Sequence, residues 1–219
     1  MKAGSEHSSV ALFCGAALAT PGALAQPFHG AAGPLDAATL AVMTAPGGSW
    51  RAGCPVGLGD LWLLQVDHWG FDGAVHPGRL VVHRGHAGRL VEVFRALFQA
   101  RFPIERMELV DTYGADDHRS MEANNTSAFN CREVAGRPGV WSQHAFGLAL
   151  DLNPVQNPYL ATGVVSPPAG LAWLDRTRPA PGLITAEGVV VRAFARAGWR
   201  WGGFWRHSKD YQHFSANGR

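Results

Sequence analysis

Between residues 88 and 102 the apolar side chains fall at Leu90, Val93, Phe94, Leu97 and Phe98, while Arg89, Glu92, Arg95 and Gln99 point elsewhere on a helical wheel. That spacing predicts an amphipathic helix over 88–102, stopped by Pro103. A second helix is expected over Glu187–Ala197, with Gly198 in the position that closes it. A short third one is expected over Asp36–Met43, capped by Asp36 and ending before Pro46-Gly47-Gly48. Strands are predicted at Leu61–Val66, Leu80–Val82, Met107–Val110 and Thr126–Cys131, with Phe71-Asp72-Gly73 as a turn. Leu148–Leu152 alternates cleanly: Leu148, Leu150 and Leu152 share one face, and Ala149, Asp151 and Asn153 the other. Trp199–Trp205 and Tyr211–Phe214 read as closing strands. Residues 26–35 read as a flexible stretch, 111–125 as a polar loop, and 154–182, with its six prolines, as loop. Helices followed by a run of short strands predict an α+β fold, a small and mostly antiparallel sheet with flanking helices.

Composition narrows the picture. The 219 residues are 47% hydrophobic and 16% charged, which suits one globular domain with a full core. The formal net charge is +2 and there is no run of Lys or Arg, so a nucleic-acid partner is not expected. Lys2, the apolar stretch Val10–Ala25 and the Ala23-Leu24-Ala25 triplet read as a signal peptide, and predict a secreted or periplasmic protein. No later apolar run is long enough to span a membrane. The expected organisation is a leader at 1–25, an arm with a short helix at 26–53, and the main domain at 54–219. Cleavage of the leader would remove Cys14 and leave Cys54 and Cys131, either as one disulfide or as two buried thiols.

Three local patterns separate candidate chemistry among the ten histidines. His144 precedes a turn allowed by Gly147, and Asp151 sits among leucines, where a carboxylate is costly unless paired or bound to metal. His213, flanked by Gln212 and Phe214, could supply a second imidazole, and two His with one carboxylate leave a zinc position open for water. Asp210, three residues before His213, could act as a general base beside that water. The bland alternatives are hydrogen-bonded histidines and an aspartate in a turn, and no compact H-E-x-x-H motif decides between the two. Arg132, in Asn125–Arg132, could clamp a substrate carboxylate or form an ordinary surface ion pair.

Ser142-x-His144-x-x-Gly147-x-Ala149-x-Asp151, Trp199-x-Trp201-Gly202-Gly203-x-Trp205 and Asp210-x-x-His213-Phe214 together resemble the zinc metallopeptidase family of D-alanyl-D-alanine carboxypeptidases and L-alanyl-D-glutamate endopeptidases. The likeness extends to Ser127–Arg132, Asp151–Tyr159 and Gly70–Gly73, and so runs over roughly residues 54–214. It implies one zinc per chain held by His144, Asp151 and His213, with Asp210 as catalytic carboxylate and Arg132 steadying the substrate or its developing charge. It further implies a monomer cutting peptidoglycan stem peptides, and substrate contacts from Ser142 and Ser127. The same fold type extends to Hedgehog-like signalling domains, so a non-catalytic zinc-containing binding module is the alternative. On an extended strand Trp199, Trp201 and Trp205 would share one face. Trp199 is expected in the core and Trp201 beside the cleft, unless Gly202-Gly203 kinks the strand.

Overall fold

The computed structural model describes Met1 and residues 26–219, so the leader read from the sequence falls almost wholly outside the described residues. The elements run β1 (Gly30–Pro34), α1 (Ala37–Thr44), β2 (Leu61–Trp69), β3 (Val75–His83), α2 (Arg84–Gln99), β4 (Arg106–Met107), α3 (Asp117–Glu122) and β5 (Asn125–Thr126). They continue with β6 (Ala149–Asp151), β7 (Tyr159–Ala161), β8 (Val164–Ser166), α4 (Val189–Arg196), β9 (Arg200–Trp201), β10 (Lys209–Asp210) and β11 (His213–Ser215). The architecture is mixed helix and sheet, with small, mostly antiparallel sheets and flanking helices, as the pattern predicted. Among the described residues no helix is long and apolar enough to cross a membrane.

The first sheet has the order β1-β2-β3, all antiparallel. Its β2–β3 hairpin turns through Gly70–Ala74, where the Asp72 carboxylate accepts from the Ala74 amide at 2.9 Å. Alternation along β2 and β3 sorts their side chains onto two cores. Leu64, Val66, Leu80 and Val82 pack with Leu90, Phe94 and Leu97 of α2. Leu61, Leu63 and Val81 pack with Met43, Phe129 and Cys131 on the opposite face. Both faces of this sheet are therefore covered, and each buried leucine or phenylalanine contributes about 2 kcal/mol of transfer free energy.

All five residues of the expected α2 stripe are buried. The helix starts four residues earlier than its hydrophobic pattern, because the His83 ring accepts from the Gly85 amide at 3.2 Å and caps it. Asp36 caps α1 as expected, accepting from the Thr39 amide at 2.6 Å. Other segments depart from the sequence reading. Gly30–Pro34 is an edge strand on β2 rather than flexible chain. The polar stretch 111–125 contains α3, which is capped by Asp116 and is too short and too charged to show a hydrophobic period. The proline-rich 154–182 holds the hairpin β7–β8. Met107–Val110 and Thr126–Cys131 shorten to the parallel pair β4–β5.

Another sheet, β6-β11-β9, carries Asp151 and His213. Phe214 of β11 is fully buried and stacks on Phe194 of α4 with ring centroids 4.0 Å apart. Trp199 and Trp201 lie in the same core. The strand expected over Trp199–Trp205 breaks after Trp201, where Gly202–Phe204 forms a 3-10 turn. The three indoles therefore do not share a face.

Cys54 and Cys131 form a disulfide with their Cα atoms 5.8 Å apart, closing a separation of 77 residues. Replacing both with serine removes a cross-link whose loop-entropy contribution is about 4 kcal/mol, and equilibrium denaturation should show a loss of that order. Trp199→Ala and Trp201→Ala should each cost about 3–5 kcal/mol in the same measurement, since both empty large core positions.

Candidate functional site

Antiparallel pairing of β6 with β11 sets His213 directly opposite Asp151. Directly opposed residues project from the same face with their Cβ atoms about 5 Å apart, so the pairing alone aims imidazole and carboxylate at one point. His213 Nδ1 lies 3.0 Å from Asp151 Oδ1. His144 arrives from a different element, the 3-10 turn Gln143–Phe146. Its Nε2 lies 3.2 Å from Asp151 Oδ2 and 3.4 Å from His213 Nδ1. One ligand atom from each of the three residues thus lies within 4.8 Å of the other two, and all three side chains are buried.

The turn carrying His144 is built tightly. Ser142 Oγ accepts from the His144 amide at 3.3 Å. Gly147 closes the turn at φ 66°, and a Cβ there would meet the His83 nitrogen at 2.6 Å, so only glycine fits between turn and first sheet. The outer ring nitrogens are also held. His144 Nδ1 donates to the Ala128 carbonyl at 2.6 Å, and His213 Nε2 donates to the Arg219 main-chain oxygen at 3.2 Å. Each bond leaves the inward nitrogen with its lone pair directed at the centre, which is how ligating histidines are oriented. Asp151 is fixed through its backbone by reciprocal bonds with Ser127, at 3.0 and 2.9 Å.

Burial by itself would raise the Asp151 carboxyl, but the facing imidazoles of His144 and His213 outweigh it and hold the group well below the usual carboxylate range. Burial pulls His213 down, yet the Asp151 carboxylate, with help from Asp210, leaves its ring above the ordinary histidine value. Two imidazoles and a carboxylate are a donor set that suits zinc with one position left open.

Asp210 lies beside this triad on β10, paired with Tyr159 of β7. Gly202 makes room for it, since a Cβ there would come within 2.6 Å of the Asp210 carbonyl oxygen. The Asp210 Oδ1 atom is enclosed and has no hydrogen-bond partner among the described residues. Burial pushes its carboxyl up to about 7, and the Asp151 charge adds to the rise against the opposing pull of His213. Buried polar atoms almost always find a partner, so an orphaned carboxylate oxygen beside two imidazoles makes Asp210 a candidate functional group.

Arg132 pairs with Asp117, which also accepts from Asn130 Nδ2 at 2.7 Å. Burial draws its guanidinium below the ordinary value, while the charges of Asp151 and Asp210 raise it. The arginine therefore stands within the field of both site carboxylates. The pattern reading missed Asp117, fifteen positions away in a polar stretch, because nothing local links an aspartate to an arginine at that distance. It also missed the Ala128 and Arg219 oxygens, since main-chain acceptors carry no side-chain signal.

Ser142 and Ser127 are brought to the site as supports for His144 and Asp151, one through its hydroxyl and the other through its backbone. Trp201 is displaced from its expected place beside the cleft. It is buried, stacks toward Phe214, and donates its indole N–H to the Tyr211 carbonyl at 2.8 Å. The indole next to the site belongs to Trp205, with its ring centroid 5.5 Å from that of His213. The turn at Gly202–Phe204 is the cause, because it ends the alternation that would have put the two indoles together.

No curated protein and no solved structure matches the chain significantly. Residues 135–216 match the model of a family described as D-alanyl-D-alanine carboxypeptidase. That match is less than half of the chain, and it takes in His144, Asp151, Asp210 and His213 but stops short of Arg132. The resemblance read from the sequence is thus borne out over this segment, which carries the pattern of a D-alanyl-D-alanine carboxypeptidase-type peptidase.

Proposed function

We propose that this protein is a zinc-dependent peptidase acting on peptidoglycan stem peptides, exported to the cell envelope and working as a monomer. The observation that carries the reading is the convergence of His144, Asp151 and His213 beside a carboxylate, Asp210, whose Oδ1 has no partner. His144 Nε2, His213 Nδ1 and the Asp151 carboxylate would hold the ion. A zinc ion bound there supplies Lewis acidity to the scissile carbonyl and lowers the pKa of water.

The remaining work falls to the chain. Asp210 takes the proton from the attacking water at its carboxylate and passes it to the leaving amine nitrogen. Arg132, held by Asp117, offsets negative charge that develops on the carbonyl oxygen. Trp205 walls the His213 side of the site. The Cys54–Cys131 disulfide supports an oxidising compartment, and with it the leader at 1–25. A non-catalytic binding module would need no ionisable group at position 210; the buried Asp210 carboxyl, with Oδ1 unpartnered among the described residues, favours the enzyme.

Metal analysis of purified protein should find about one zinc per chain, lost in the His144→Ala/His213→Ala double variant. Full zinc retention by that variant would remove the assignment. Asp210→Ala should keep zinc and lose turnover of defined muropeptides by about 10²–10⁴-fold, read by mass spectrometry of the products. Release of zinc by Asp210→Ala, with retention by Asp151→Ala, would mean that ligand and base are exchanged.

The Asp210 environment also predicts a pH-dependent stability in the metal-free protein. Its folded carboxyl is raised from the ordinary 3.8 to about 7. Stability linked to this group is therefore present at low pH and is lost as pH rises through that window. Asp210→Asn removes the loss, so its melting temperature relative to the wild type should climb between about pH 4 and about pH 8. A constant difference across that range would show the carboxylate to be solvated.

A further inference from the structure

An open cavity of about 800 Å³ lies between the segment 44–52 and the stretch 130–133, within the size range of a small-ligand site. It adjoins the proposed zinc site through two of its lining residues. The Asn130 amide donates to the His144 carbonyl at 3.2 Å, and the Arg132 carbonyl accepts from the Ser142 amide at 3.1 Å. Its other wall comes from the arm of the chain, in Trp50 and Arg51, which lies outside the segment that matches the peptidase family.

That wall is held in place from several sides. The Cys131 amide donates to the Ser49 carbonyl at 2.9 Å, and Arg51 Nη1 donates to the Cys131 carbonyl at 2.5 Å. Ser49 is bound in turn to both carboxylate oxygens of Asp111, at 2.7 and 2.9 Å, and the disulfide joins Cys54 to Cys131. A loop fastened by a covalent link and four hydrogen bonds within six residues is a fixed surface, and fixed surfaces bind with little ordering cost.

The charges on the cavity wall differ in how they are occupied. Arg132 is paired with Asp117. Glu133 is exposed at the rim. Arg51 is exposed, spends one nitrogen on a neutral carbonyl, and has no carboxylate within ion-pair distance among the described residues. It is the cation on this wall left to recognise an anionic ligand, and a guanidinium with open N–H groups suits a planar carboxylate. The adjoining Trp50 is half-buried, with its indole N–H bound to the Val56 carbonyl at 3.0 Å, so its ring is a fixed apolar surface at the same wall.

We infer that Arg51 and Trp50 form an extended subsite, next to the proposed zinc site, that takes a carboxylate-bearing residue of the substrate peptide away from the scissile bond. This rests on the peptidase reading for the identity of the ligand and goes beyond it in assigning specificity to the arm at 44–52. The subsite selects peptides with a free carboxylate over those in which that group is a carboxamide.

Two stem-type peptides serve as the test, identical except for a free α-carboxylate or a carboxamide on the glutamyl residue. Their binding to the full chain is measured by calorimetry, and their cleavage separately by product analysis. The wild type should bind the carboxylate form about tenfold more tightly, and the same preference should appear in KM rather than kcat. Arg51→Gln keeps a donor for the Cys131 carbonyl but removes the charge, and should bring the two peptides to within about twofold. Arg51→Lys should retain part of the preference. Equal binding of the two peptides by the wild type, or an unchanged preference in Arg51→Gln with its melting temperature intact, overturns the subsite. A wild type that prefers the carboxylate peptide but cleaves neither keeps the subsite and removes the peptidase reading. Cleavage of both peptides with equal binding does the reverse.

Discussion

A carboxylate enclosed between two imidazoles sets the terms for the rest of this protein. Asp151 lies among Leu150 and Leu152, and its charge is tolerable only because His144 and His213 face it. That arrangement depends on strand register. A slip of one residue in the β6–β11 pairing would turn His213 to the opposite face of the sheet and leave Asp151 without one partner. Phe214 opposes the slip, since the same shift would pull its ring off Phe194 and out of the core. Packing on one face of β11 thus holds the chemistry on the other.

The second requirement is that elements distant in sequence arrive at one point without leaving polar backbone unpaired. His144 stands on a turn wedged against the first sheet, where the Gly147 carbonyl accepts from the His83 amide at 2.9 Å. Asp210 enters from β10 through room that Gly202 leaves. Both glycines lie in the family-matched segment, and each removes a specific clash rather than lending general flexibility. The result is a tightly held scaffold around Asp210, whose enclosed Oδ1 has no partner among the described residues.

Outside that segment the chain adds its own features. The arm is joined to the first sheet by β1, and the disulfide at its end ties it to the stretch 130–133. It forms one wall of the cavity beside the site. The family-matched segment holds His144, Asp151, Asp210 and His213, while Arg132 and the arm lie outside it.

Local forces made much of this legible from residues alone. The stripe Leu90–Phe98, the Asp36 cap and the alternation around Leu150 each follow from interactions within a few positions, and each appears in the structure. His144, Asp151, Asp210 and His213 could be singled out as candidates, but their spacing left bland alternatives open, and it was the combined resemblance of three motifs that gathered them into one expected site. What the sequence could not decide was pairing across distance: Arg132 with Asp117, the outer histidine nitrogens with the Ala128 and Arg219 oxygens, and Cys54 with Cys131. Trp201 shows the boundary within a single segment. Its apolar character and its neighbours are written in the chain, yet the turn at Gly202–Phe204 decides that it packs on Phe214 while Trp205 stands by His213. Residue type and spacing determine which groups need partners. Only the folded backbone determines which partner each one meets, because main-chain acceptors and long-range contacts exist in three dimensions and leave no local signal.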